Sequence, residues 1–252
     1  MADWNPAQYL KFKAQRTQPA MDLAKRIMDR NPEKIIDIGC GPGNSTSVLK
    51  NLFFKADICG IDSSENMIER AKSAYPDIDF MLCDVRNISS GYDLIFSNAC
   101  LQWLPDHKNL IPELMGKLNE GGVLAVQIPM NGEEPLFQII KTVTEHPKWG
   151  FKSTCFEANK TLTPHEYFDI LSECSDNFNI WETVYYHNMP SHEALIEWVK
   201  STRLKPYLEE LDEESKETFL NEILEKVKKA YSITKSGEVI LRFRRFFFTA
   251  IK

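Results

Sequence analysis

No apolar run in this 252-residue chain approaches the roughly 18 residues that a membrane-spanning helix needs. The opening, MADWNPAQYLKF, has neither the basic start nor the apolar stretch of a secretory signal, so a cytoplasmic location is expected. Positive charge is also short: 30 lysines and arginines against 36 aspartates and glutamates leave a formal net charge of −6. Neutralising phosphates takes a concentrated basic surface, which argues against a general nucleic-acid binder. The six cysteines are scattered, with no CxxC pair and no Cys/His cluster at metal-ligand spacing, so neither a metal site nor a disulfide framework is expected. No repeat, low-complexity tract or interdomain linker interrupts the chain, and a single domain over 1–252 is expected.

What is present is a rhythm. KIIDIGC reads as a buried strand, NSTSVLKNLF as an amphipathic helix, ADICGIDSS as a second strand and ENMIERAKSAY as a second helix. IDFMLCDV, YDLIFSNA and GVLAVQIP continue the strands, and HKNLIPELMGKLNEGG reads as a helix closed by Gly121 and Gly122. Alternation of this kind implies a doubly wound α/β fold, a mostly parallel sheet covered on both faces. Residues 7–30 have helical composition broken at Pro19, which predicts two helices or a kink and, over 1–30, an N-terminal lid. A core over 31–129 and looser helical segments over 130–177 follow. NFNIWETVYYHNM and GEVILRFRRFFFTAIK read as strands six and seven, the last antiparallel, with a helical cap over 190–236 inserted between them.

The first strand runs into Gly39, Gly41 and Gly43, at the sheet end where open α/β folds place their ligand. A dinucleotide fingerprint, G-x-G-x-x-G, would need its third glycine at Asn44, which counts against a nicotinamide-dependent dehydrogenase. Two acids stand in register with the loop. Asp62 ends strand two, where a carboxylate can accept ribose hydroxyls, and Asp84 ends strand three, within reach of an adenine amino group.

With IIDIGCGPGNST, GIDSS, CDV and DLIFSNACLQWL, the chain resembles the class I S-adenosylmethionine-dependent methyltransferases, whose fold is Rossmann-like. The resemblance implies S-adenosylmethionine as cofactor. It puts Gly39, Gly41 and Gly43, led by Asp37, under the methionine and ribose, Asp62 with Ser63 at the ribose, and Asp84 with Val85 at the adenine. It also puts Asn98, Gln102 and Trp103 near the reacting methyl. Met67 reads equally as a core residue or as packing on adenine.

Across its length the chain is further similar to the trans-aconitate methyltransferase family, in DWNPAQYLKF, RTQPAMDL, NACLQWLPDH, IWETVYYHNMPSHEALIEWV and LKPYLEEL. Membership implies methylation of one carboxylate of trans-aconitate, a small-molecule polycarboxylate. Another small acid as acceptor, or a catalytically silent S-adenosylmethionine-binding protein, stays open. Two stretches depart from the family: TRLKP puts Arg203 and Lys205 where glycine and arginine are usual, and QIPMN puts Met130 where an acid is usual.

An ionised carboxylate needs no general base, so no catalytic side chain and no metal are nominated. It does need cations. Arg16, Arg203, Lys205, Arg242, Arg244 and Arg245 are available, and alternation separates Arg242 and Arg244 from Arg245 across the last strand. Arg16 could clasp either the cofactor's carboxylate or the acceptor. The expected acceptor set is Trp4, Gln102, Trp103, Tyr185, His187 and Arg245. Of the neighbours Tyr185 and Tyr186, one must face away.

Overall fold

The computed structural model describes residues 13–151, 161–200 and 202–252; Trp4 and the side chain of Arg16 lie outside the described residues. Seven strands form one sheet in the order β3-β2-β1-β4-β5-β7-β6, with β1 Lys34–Ile38, β2 Asp57–Asp62, β3 Asp79–Leu82, β4 Tyr92–Asn98, β5 Leu118–Pro129, β6 Asn177–Met189 and β7 Val239–Ile251. β1 to β5 are mutually parallel, and β7 runs antiparallel between β5 and β6. Strand order reverses between β1 and β4, which opens a crevice beyond their carboxyl ends.

Among the described residues the helices are α1 Lys13–Lys25, α2 Asn44–Leu52, α3 Glu65–Ala74, α4 His107–Gly116, α5 Pro135–Thr144, α6 Pro164–Cys174, α7 His192–Lys200, α8 Lys205–Glu209 and α9 Glu213–Ala230. Period-two alternation divides the apolar residues between the two faces of the sheet. On one face Ile36, Ile95, Phe246 and Phe248 pack with Ile111 of α4 and Tyr167 of α6. On the other, Ile35, Phe96 and Phe247 pack with Leu23 of α1 and Leu49 of α2. A further core joins α5, α7 and α9 to the ends of β6 and β7, through Ile140, Leu195, Phe219, Met189 and Phe243. The inserted helices are therefore rooted in the sheet by their own apolar core.

Of the two readings at Pro19, two helices or a kink, the first does not hold: α1 runs through Pro19 as one helix, and Ala20, Leu23 and Ala24 on its inner face are fully buried. That packing outweighs the loss at one proline. Gly121 and Gly122 do not close α4, which ends at Gly116. They belong to β5, where Gly121 donates to the Lys252 carbonyl and the Lys252 amide donates back to Gly122. Pairing with the chain's last residue recruits the segment into the sheet.

Candidate active site

The loop from β1 to α2 carries the three glycines at φ of 67°, 55° and 87°, all left-handed. They are glycine for different reasons. A Cβ on Gly39 would lie 2.1 Å from the Cys100 sulfur, and one on Gly43 would meet Tyr75 and Phe80 at 2.8 and 2.9 Å. A Cβ on Gly41 would have nothing within 4 Å among the described residues. Close approach of the protein's own side chains thus explains the outer two, and among the described residues nothing crowds the middle glycine. Gly39→Ala is expected to lower stability by about 2–5 kcal/mol, and Gly41→Ala by only about 1–2. Urea unfolding of the two variants checks the difference.

Asp37, at the foot of the loop, is fully buried and accepts hydrogen bonds from the Ser45 and Thr46 hydroxyls at 2.6 and 2.7 Å. It thereby ties β1 to the first turn of α2. Burial pushes its carboxyl up to about 7, against the pull of those two hydroxyls and with help from the charge on Asp62.

Asp62 accepts from the Gly41 amide at 3.0 Å and the Ser64 amide at 2.9 Å. Burial raises its carboxyl above the ordinary value; the amides, including that of Ser63, oppose the rise. Next to it, the Ser64 hydroxyl caps α3 by accepting from the Met67 amide, and Met67 is buried. Asp84 is gripped by Arg86 through Nε at 2.8 Å and Nη2 at 2.5 Å, which holds its carboxyl down at about 2. Val85 is buried beneath it. The loop, Asp62 and Asp84 form one row along the carboxyl edge of β1, β2 and β3.

Beyond β4, β5 and β7 lies a cavity of about 400 Å³. Ala99, Gln102 and Trp103 line it from the turn whose Cys100 lies against Gly39, Phe137 and Lys141 come from α5, and Trp198 from α7. Ala99 is left-handed at φ 55°, uncommon for a residue with a side chain. Its amide donates to the Gln127 carbonyl at 3.0 Å and its carbonyl accepts from Gln102 Nε2 at 2.6 Å. Arg245, 4% exposed, reaches the cavity from β7, donating Nη1 to Gln127 Oε1 at 3.0 Å with its guanidinium 4.5 Å from the Phe243 ring centre. Arg203, between α7 and α8, lines the same cavity, and burial pulls its guanidinium below the ordinary value. One arginine from the sheet and one from the insertion therefore line a common space.

Asn98 ends β4 next to Ala99, with its buried Oδ1 lacking a hydrogen-bond partner among the described residues. Tyr185 points to the α1 side, donating to Asp22 at 2.6 Å, while Tyr186 is 65% exposed on the opposite face. His187 is buried behind the cavity wall, its ring 5.1 Å from Trp198 and 5.8 Å from Phe243. Arg244 is engaged with the Met130 carbonyl and with Glu133 and Glu182, and Lys205 with Glu209. Arg203, Lys141, Phe137 and Trp198 are cavity residues outside the expected acceptor set. The departure at TRLKP was the available signal for Arg203; nothing local marks the other three.

Desolvation, with repulsion from Arg245, holds the His187 imidazole down at about 4 against an ordinary 6.5. Between those values the unfolded chain binds the extra proton, so this group's contribution to stability is present above 6.5 and is lost as pH falls toward 4. Asp37, raised to about 7, works in the opposite sense over much of the same range. A direct pH profile mixes the two. The stability difference between wild type and His187→Phe isolates one: it should shift against wild type by up to about 1.4 kcal/mol per pH unit as the pH falls through the window.

Residues 36–126 match the methyltransferase-domain family. The solved structure of the YcgJ protein from Bacillus subtilis overlays with a TM-score of 0.59 at 13% identity, covering 93% of this chain and 98% of that one. Phosphoethanolamine N-methyltransferase 2 of Haemonchus contortus overlays at 0.55 with 15% identity, covering 92% of this chain and 52% of that one. These two share the fold. Sequence relatives are nearer: trans-aconitate 2-methyltransferase of Escherichia coli O7:K1 is 44% identical over 252 residues, spanning 99% of this chain and 98% of the relative. That of Shigella flexneri is 43% identical over the same shares. Near-complete coverage in both directions extends the likeness past the glycine loop to the inserted helices and β7, and the chain belongs to the trans-aconitate 2-methyltransferase family.

Proposed function

We propose that the chain transfers a methyl group from S-adenosylmethionine to one carboxylate of trans-aconitate, releasing the monomethyl ester and S-adenosylhomocysteine. The observation that carries this reading is that Arg203 and Arg245 line one cavity together with Ala99, Gln102 and Trp103 of the turn after β4, whose Cys100 lies against Gly39. A multiply charged acid needs such paired forks, and a neutral or cationic acceptor would not.

The row at β1 to β3 suits the cofactor. Gly41 offers a bare backbone surface, Asp62 the acceptor for the ribose hydroxyls, and Asp84, kept ionised by Arg86, the acceptor for the adenine amino group. Gly39, Gly43 and Asp37 shape the loop, while Ser63, Met67 and Val85 complete the nucleoside wall. Bound S-adenosylmethionine supplies an electrophilic methyl group on a cationic sulfur. The acceptor carboxylate is ionised at neutral pH, so no proton has to move and no side chain acts as a base. The protein's task is positioning in a dry pocket. Arg203 and Arg245 hold the carboxylates that do not react, and Gln102 and Trp103, next to Asn98, direct the third toward the glycine loop. Residues 190–236 act as a cap over the core of 31–129, and the described part of the expected lid, α1, packs on the sheet through Ala20, Leu23 and Ala24. A cytoplasmic location belongs to the same reading. His187 and Tyr185 contribute from behind, through Trp198 and α1.

The test is transfer of a labelled methyl group to trans-aconitate, with cis-aconitate, citrate and isocitrate in parallel. Fast, selective labelling of trans-aconitate is expected. Labelling of another acid instead would retain the chemistry and replace the acceptor, and binding of S-adenosylhomocysteine without any transfer would favour a silent protein. Gly41→Ala should weaken S-adenosylhomocysteine binding about tenfold or more in a calorimetric titration, well beyond its effect on stability.

A further inference from the structure

Behind the acceptor wall, on the α4 and α6 side of the sheet, lies a buried pair that the chemistry above does not use. His107, 1% exposed at the start of α4, has Nε2 2.8 Å from the Leu101 carbonyl and Nδ1 2.5 Å from the hydroxyl of Tyr167, which is fully buried in α6. A carbonyl can only accept, so Nε2 carries the proton. In a neutral imidazole Nδ1 is then the acceptor, and the Tyr167 hydroxyl must donate. The bonds run one way: Tyr167 to His107 to the Leu101 carbonyl. Burial disfavours the imidazolium, against the pull of the Leu101 and Leu104 carbonyls, and so favours a neutral ring.

Leu101 opens the 3₁₀ turn Leu101–Trp103 that presents Gln102 and Trp103 to the cavity, two residues after the left-handed Ala99. A residue in that conformation persists only where its surroundings over-determine it. The Ala99 amide ties the turn to Gln127 of β5 on one side; the Leu101 carbonyl ties it to α4 and α6 on the other. We propose that His107 and Tyr167 are positioning residues for the acceptor, setting the 99–104 turn so that Gln102 and Trp103 meet the acid in register with the methyl group. The inference rests on the methyl-transfer reading above.

The experiment compares wild type with His107→Phe, His107→Gln and Tyr167→Phe. His107→Phe should lower kcat/KM for trans-aconitate by about tenfold to a hundredfold, as a small misplacement at a reacting centre does, with S-adenosylhomocysteine affinity within about twofold of wild type. His107→Gln, whose amide can donate to the same carbonyl, should recover most of the loss. Nitrogen-15 NMR of the His107 ring should report the Nε2–H form in wild type and a mixture of tautomers in Tyr167→Phe. Melting temperature is followed throughout. Unchanged acceptor kinetics in His107→Phe, with only the melting temperature lowered, would reduce the pair to a structural role. An Nδ1–H tautomer in wild type would also overturn the proposal, and this measurement stands even if His107→Phe does not fold. Absence of transfer by wild type would instead fail the acceptor reading, which separates the two outcomes.

Discussion

Asp62→Ala is expected to weaken binding of S-adenosylhomocysteine about a hundredfold. Two losses combine. Charge-assisted hydrogen bonds to the ribose hydroxyls are worth about 1.5–3 kcal/mol, and each 1.4 kcal/mol is a factor of ten. The second loss is within the protein: the same carboxylate accepts from the Gly41 and Ser64 amides, so alanine also releases the glycine loop and the start of α3. The stability of the free protein should fall as well, by about 1–2 kcal/mol, because two partly buried amides lose their acceptor. Asp62→Asn separates the contributions. Its single amide oxygen can serve one donor, so it should restore much of the stability and little of the affinity. Calorimetric titration with S-adenosylhomocysteine and urea unfolding together check this; wild-type affinity in Asp62→Ala would exclude Asp62 from the ribose.

Much of the row along β1 to β3 is legible in the sequence because it is local. A strand, a turn and a following helix put Gly39, Gly41 and Gly43 at one sheet end, and the acids of the next two strands fall beside them by topology alone. What is not local is the reason for each glycine. Only the folded chain brings Cys100 against Gly39, and Tyr75 and Phe80 against Gly43. The acceptor half is harder for the same reason. Alternation along β7 is enough to separate Arg245 from Arg242 and Arg244, and the structure keeps them on opposite faces, with Arg245 buried beside Phe243. Arg203 reads as a surface cation in a helical stretch, and its burial depends on packing among α5, α7 and the sheet that no periodicity encodes. Phe137 and Lys141 likewise face the cavity because α5 shares an apolar core with the insertion. His187 looks accessible at a strand end, yet Trp198 of the inserted helices covers it.

Arg245→Gln should carry the largest kinetic effect, a fall of about a hundredfold to a thousandfold in kcat/KM for trans-aconitate with cofactor affinity nearly unchanged. The magnitude follows from truncating one partner of a desolvated, hydrogen-bonded charge pair, which costs about 2–5 kcal/mol when the ligand's carboxylate is left without its fork. Arg245→Lys keeps the charge but not the planar donor pair, so it should recover only part of the loss. Arg203→Gln is predicted to fall in the same direction, and the pair then tests the geometry. If both guanidinium groups hold one acid, the double variant should lose less than the sum of the two singles, because an acid released by one no longer sits correctly for the other. Additive losses would instead mean that the two cations act independently, for instance by drawing the acid electrostatically toward the cavity. That alternative has its own signature. Steering fades with added salt, whereas a buried fork on a carboxylate is screened much less, so steady-state kinetics of the single variants at two ionic strengths would tell the two apart.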